Sequence, residues 1–130
     1  MIKLGVCRGI GDAQIAYESG FDYIECNFSQ VMALPRAEFD EWKKRMQDMP
    51  IRCEAMNGML PGTFRLTGPD ADLTPVREFL KEAFARAAEI ALPVVVFGSS
   101  AARNIPADAD GNITFPMDKA LDQVAEYLWM

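Results

Sequence analysis

Thr74-Pro75-Val76-Arg77-Glu78-Phe79-Leu80-Lys81-Glu82-Ala83-Phe84-Ala85-Arg86-Ala87-Ala88-Glu89-Ile90-Ala91-Leu92-Pro93-Val94-Val95-Val96-Phe97-Gly98-Ser99 reads as a helix followed at once by a strand. Thr74 is an N-cap, and Pro75 suits the first helical position, where a missing N–H costs nothing. Val76, Phe79, Leu80, Ala83, Phe84, Ala87, Ile90 and Ala91 recur at three and four, which predicts one broad apolar face laid on a sheet. Val94-Val95-Val96-Phe97 is apolar at every position, as expected of a parallel strand buried on both faces. Gly98-Ser99-Ser100 ends it.

The same rhythm runs outward from this stretch. Strands are expected at Ile2–Cys7, Phe21–Cys26 and Ile51–Ala55, joined by the fourth at Pro93–Phe97. A helix follows each one. The first is capped by Asp12 and stopped by Gly20. The second spans about Arg36–Asp48, with Phe39, Trp42, Lys43 and Met46 on one stripe. The last, Asp118–Trp129, carries Leu121, Val124, Ala125 and Leu128 on one stripe and runs into Met130. Met56–Leu73, with turns at Pro61-Gly62 and Gly68-Pro69, is long and aperiodic, which predicts a functional loop. Ala101–Pro116 is a second long loop. Strands alternating with helices build a parallel sheet, so the class is α/β: four consecutive βα units in a single domain over residues 1–130. A closed barrel needs eight units and about 250 residues. The chain is therefore expected to be a small open sheet or the first half of a barrel.

Composition narrows the function. The 130 residues are half apolar and a quarter charged, with a net charge of −6. Such a balance opposes nucleic-acid partners, whose phosphates need a basic surface. It equally opposes a polybasic membrane contact. No stretch approaches about 18 apolar residues, and the N-terminal residues lack a signal peptide, so a cytoplasmic protein is expected. Cys7, Cys26 and Cys53 are odd in number and widely spaced, which is no disulfide framework. There is no histidine, which removes the commonest general base and transition-metal ligand.

Ligands of parallel α/β folds sit at the carboxyl ends of the strands. The candidates are Cys7-Arg8, Glu25-Cys26-Asn27, Glu54–Asn57, and Gly98-Ser99 with Arg103. Strand parity sorts them. Ile24 and Cys26 share one face and Tyr23 and Glu25 the other; Cys53 and Ala55 share one face and Arg52 and Glu54 the other. Glu25 and Glu54 would then stand about 5 Å apart on neighbouring strands. Two carboxylates that close form an acid–base or metal-adjacent pair, or are paired with Arg8, Arg52 or Arg103. The cysteines fail as a metal set: Cys26 and Cys53 face the helices and Cys7 the opposite side, so small buried hydrophobes are the expectation. Gly5-Val6-Cys7-Arg8-Gly9-Ile10-Gly11 is glycine-rich but does not fit GxGxxG. The small residues of Gly98-Ser99-Ser100 suit a hydroxyl or phosphate, with Arg103 nearby to clamp an anion.

Three stretches resemble the sugar (phosphate) isomerase/epimerase superfamily with a xylose-isomerase-like barrel. They are Gly20-Phe21-Asp22-Tyr23-Ile24-Glu25, the run Met56-Asn57-Gly58-Met59-Leu60-Pro61-Gly62 through Leu66-Thr67-Gly68-Pro69, and Val94-Val95-Val96-Phe97-Gly98-Ser99-Ser100-Ala101-Ala102-Arg103-Asn104-Ile105-Pro106. The resemblance covers nearly the whole chain but only the N-terminal half of the family's barrel. It implies a substrate pocket lined by Glu25, Asn57, Gly98, Ser99 and Arg103, taking a sugar or sugar phosphate. Glu25 and Glu54 are the candidates for catalysis. Full-length relatives hold a divalent metal (Mn, Mg or Zn) and move a proton beside a sugar carbonyl. Their metal ligands come mainly from the second half, so the resemblance implies no metal ligand and no cofactor in this chain, and no turnover by it alone. The family's endonuclease branch uses several histidines and is disfavoured. A half-barrel leaves one sheet face and both edges open, which two copies can cover as a homodimer. The alternative is a non-catalytic half-barrel that self-associates or binds a partner through its exposed sheet face.

Overall fold

The computed structural model describes residues 2–130. Four strands form one all-parallel sheet in the order β1-β2-β3-β4: β1 (Gly5–Cys7), β2 (Tyr23–Asn27), β3 (Arg52–Asn57) and β4 (Val94–Val95). They alternate with α1 (Ala13–Glu18), α2 (Phe28–Met32), α3 (Arg36–Gln47), α4 (Thr74–Glu89) and α5 (Met117–Leu128), the α/β arrangement expected of four βα units. The chain divides into two compact units, one up to Met59 with Glu82–Gly98, the other Leu60–Lys81 with Ser99–Met130. None of its helices, among the described residues, is long and apolar enough to cross a membrane.

The sheet and its core belong to the first unit. Gly20, at φ +86°, ends α1 as expected, and the Phe21 N–H returns to the Ala16 carbonyl at 3.1 Å. Asp12 precedes α1 but makes no side-chain cap; a 3-10 turn, Ile10–Asp12, leads into the helix instead. Ile24, Phe28, Phe39 and Met56 are fully buried. Arg86 of α4 is buried among them at 8 % exposure. Its guanidinium donates to the Met32 and Leu34 carbonyls, meets Glu82 at 2.7 Å, and lies 5.2 Å from the centre of the Phe39 ring. Arg86 thus ties α4 to the α2–α3 connection.

One expectation about burial is corrected. Val94 and Val96 are 50 % and 42 % exposed, so β4 is an edge strand with one bare face. On α5 the buried residues are Ala120 and Tyr127, whereas Leu121 and Leu128 are 62 % and 64 % exposed. The apolar arc of that helix is wider than the face its surroundings cover.

In the second unit the long loop after β3 is held closely. Leu66 and Thr67 are buried; the Leu66 N–H reaches the Ala102 carbonyl at 2.7 Å, and the Thr67 hydroxyl donates to the Asn104 carbonyl at 2.7 Å. The Gln123 amide pairs with both backbone groups of Gly68, at 2.8 and 2.9 Å. Phe64 and Phe79 meet edge to face, with centroids 5.7 Å apart.

Candidate functional site

The carboxyl ends of β1, β2 and β3 surround a cleft of about 310 Å³ in the first unit. Cys7, Arg8, Glu25, Asn27, Gln30 and Asn57 are among its lining residues. Each arrives there for a local reason. Cys7 lies opposite Glu25 in the β1–β2 ladder, and the Arg8 N–H continues it to the Glu25 carbonyl at 3.1 Å. Asn27 lies opposite Asn57 in the β2–β3 ladder, and opposite residues share a face.

Asn27 does two jobs. Its Oδ1 accepts the Gln30 N–H at 2.9 Å and the Ser29 hydroxyl at 3.0 Å, which caps α2. That fixes the amide with Nδ2 on the other side, beside Gly58. Gly58 adopts φ +62°, its carbonyl accepts the Ser29 N–H at 3.1 Å, and a Cβ there would come within 2.6 Å of Asn27 Nδ2. Glycine is therefore required after β3 for Asn27 to sit where it does.

Arg8 supplies a cation, Glu25 a carboxylate, and Asn27, Gln30 and Asn57 amides. Together they can donate to and accept from a ligand rich in hydroxyl or carbonyl oxygens. Below them, the Cys26 thiol donates to the Arg8 carbonyl at 3.4 Å. The neighbouring Cys53 sulfur and then burial push the Cys26 thiol up, so it stays protonated. Cys7 alone of the three cysteines is exposed.

Glu25 and Asn57 therefore share one cleft. Glu54 has a different setting. The β2–β3 ladder slips one residue after Ile24↔Cys53, so Glu25 faces Ala55, and Glu54 is the extra residue of a bulge. Its carboxylate pairs with Lys3 Nζ at 2.6 and 2.7 Å. The parity argument, which placed Ala55 with Cys53, holds only below this slip. Gly98 belongs to the same unit, its N–H turned to the Val96 carbonyl at 3.1 Å, but it does not line the cleft. Ser99 and Arg103 belong to the second unit. Ser99 takes φ +36°, its hydroxyl accepts the Leu60 N–H at 3.0 Å, and its carbonyl accepts the Ala102 and Arg103 N–H groups at 3.0 and 3.3 Å. The serine hydroxyl thus ties its loop to the loop that follows β3. Gln30 was not among the strand-end candidates, although Asn27-Phe28-Ser29-Gln30 has the spacing of a capping box.

Among the described residues, no group of three or more His, Cys, Asp or Glu is placed to hold a metal ion. No protein-family model, curated protein or solved structure matches the chain.

Proposed function

We propose that the chain is the N-terminal half of a sugar (phosphate) isomerase/epimerase-like barrel and that its cleft takes part of a polyhydroxylated carbonyl ligand. The observation carrying this reading is the convergence of Arg8, Glu25, Asn27 and Asn57 on one cleft at the carboxyl ends of β1–β3. Parallel α/β proteins bind their ligands at that end. A carboxylate flanked by amides and a cation suits vicinal hydroxyls, and Arg8 suits a phosphate or a polarised carbonyl oxygen. In this reading the chain contributes recognition, and turnover belongs to the other half of the barrel, from which the family's metal ligands mainly come.

The test is titration of ketoses, aldoses and their phosphates, read by backbone amide NMR. Millimolar binding is expected, with shifts concentrated at Arg8, Glu25, Asn27 and Asn57. Glu25→Gln removes a charged acceptor and is expected to weaken binding about tenfold. Shifts absent or scattered for every sugar would overturn the reading. The second reading, a non-catalytic half-barrel that binds a partner, is favoured by the exposed Val94 and Val96 on edge strand β4.

A further inference from the structure

Two apolar surfaces lie open, one in each unit. On α5, Met117, Leu121 and Leu128 fall on one side and are 46 %, 62 % and 64 % exposed. Beside that stripe Asp118, Asp122 and Glu126 form a ridge of carboxylates one helical turn apart. On the first unit, a groove of about 400 Å³ lies between edge strand β1 and α1, walled by Val6, Ile15, Ala16 and Phe21. Arg8 and Asp12 also line it, and Ile15 is 66 % exposed. Isolated exposed apolar residues are ordinary. Here they are continuous along one helix, and their concave apolar complement exists elsewhere in the same chain, which is the requirement for a head-to-tail contact between copies.

Edge strand β1 also leaves backbone groups open beside the groove. The Leu4 carbonyl and the Arg8 N–H turn towards β2. In a parallel strand the alternate residues, Gly5 and Cys7, therefore turn theirs to the open edge.

We propose that a second copy of the chain fills this groove: the Met117, Leu121 and Leu128 stripe of one copy's α5 lies along Val6, Ile15, Ala16 and Phe21 of the other. The groove's charged residues are Arg8, which suits the carboxylate ridge of α5, and Asp12, which opposes it, so the apolar stripe carries the contact. Each copy thereby offers one α5 stripe and one groove to other copies. Arg8 borders both this groove and the cleft, so the two interactions share that one residue.

The experiment is light scattering on a sizing column, with sedimentation across micromolar concentrations. A mass above that of the 14.5 kDa chain, rising with concentration, is expected. Leu121→Asp and Ile15→Asp, both at exposed positions, are each expected to give monomers with unchanged far-UV circular dichroism. As a direct check of the partner face, a Leu121→Cys chain is mixed with an Ile15→Cys chain, both on a Cys7→Ser background. A disulfide between the two different chains is expected in preference to links between like chains. A monomeric parent protein, or an oligomer that neither Asp substitution disperses, would overturn the proposal.

Discussion

Replacing Arg86 by Met tests what ties α4 to the α2–α3 connection. Arg and Met have nearly equal helix propensity, so α4 itself is not the variable. The substitution removes the guanidinium hydrogen bonds to the Met32 and Leu34 carbonyls and its position over Phe39, 5.2 Å from the ring centre. Hydrogen bonds to a charged group contribute about 1.5–3 kcal/mol each. A cation over a ring adds about 0.5–2 kcal/mol. Against this stands the cost of burying the charge, which Met avoids. The net expectation is a loss of about 2–4 kcal/mol, large beside the whole stability of a domain this size. Arg86→Lys keeps the charge but has no planar fork to bridge two carbonyls, and is expected to lose about half as much. Glu82→Ala, at the exposed end of the ion pair, is expected to cost less than about 0.5 kcal/mol. Urea unfolding on a Trp129→Phe background reads this directly, because Trp42 then reports alone and stacks on Phe39 at 6.3 Å. An Arg86→Met variant within about 1 kcal/mol of its parent would refute the carbonyl clamp, and so would full rescue by Lys.

Two further predictions follow from the first unit. Arg36 and then Lys43 hold the Glu89 carboxyl down to about 2, and a carboxylate with a depressed folded value contributes stability above its ordinary range that is lost as the pH falls. The Glu89 carboxyl is therefore expected to titrate by NMR near pH 2, with the loss spread between its unfolded value and about 2; Arg36→Gln should raise the midpoint, and an unmoved midpoint would contradict the assignment. Ala91 sits at φ +51° just past α4, where the Leu92 N–H returns to the Ala87 carbonyl at 3.0 Å. Ala91→Gly is expected to stabilise the fold by about 0.5–1 kcal/mol in the same urea assay, and a loss would show that the left-handed cap is unstrained.

The strand–helix rhythm was legible because it depends on periodicity. Arg36–Gln47 and Thr74–Glu89 carry their apolar residues at three and four, and both are helices at nearly the expected bounds. The short α2 was hidden by its length: five residues hold too little periodicity to register, and only the Asn27–Gln30 cap announced it. Misjudged burial at β4 has another cause, which α5 shares. An apolar pattern reports what a surface needs, not whether the same chain supplies its cover, and Val94, Val96, Leu121 and Leu128 are apolar and bare. The cleft residues at strand ends could be found by position, since topology decides where a parallel sheet opens. The serine of strand four could not: the Ser99 hydroxyl is taken by the Leu60 N–H, a contact 39 residues apart in sequence.

The slip in β3 shows how one residue decides the cleft. If the Ile24↔Cys53 register continued unbroken, Glu25 would face Glu54, Cys26 would face Ala55, and Asn27 would face Met56. The open face would then carry two adjacent carboxylates and a thioether. Cys26, on the covered face, would meet only an alanine there. With the slip, Met56 faces Cys26 and is fully buried, while Asn57 faces Asn27 at the cleft. Burying a methionine side chain contributes about 1.5–3 kcal/mol, and moving Glu54 beside Lys3 relieves the repulsion it would have felt from Glu25. Packing and electrostatics therefore favour the same register, and that register replaces a carboxylate pair by one carboxylate among amides. The change bears on function, because a lone Glu25 beside Asn27 and Asn57 is equipped to recognise hydroxyl groups, whereas two carboxylates side by side would call for a shared proton or cation.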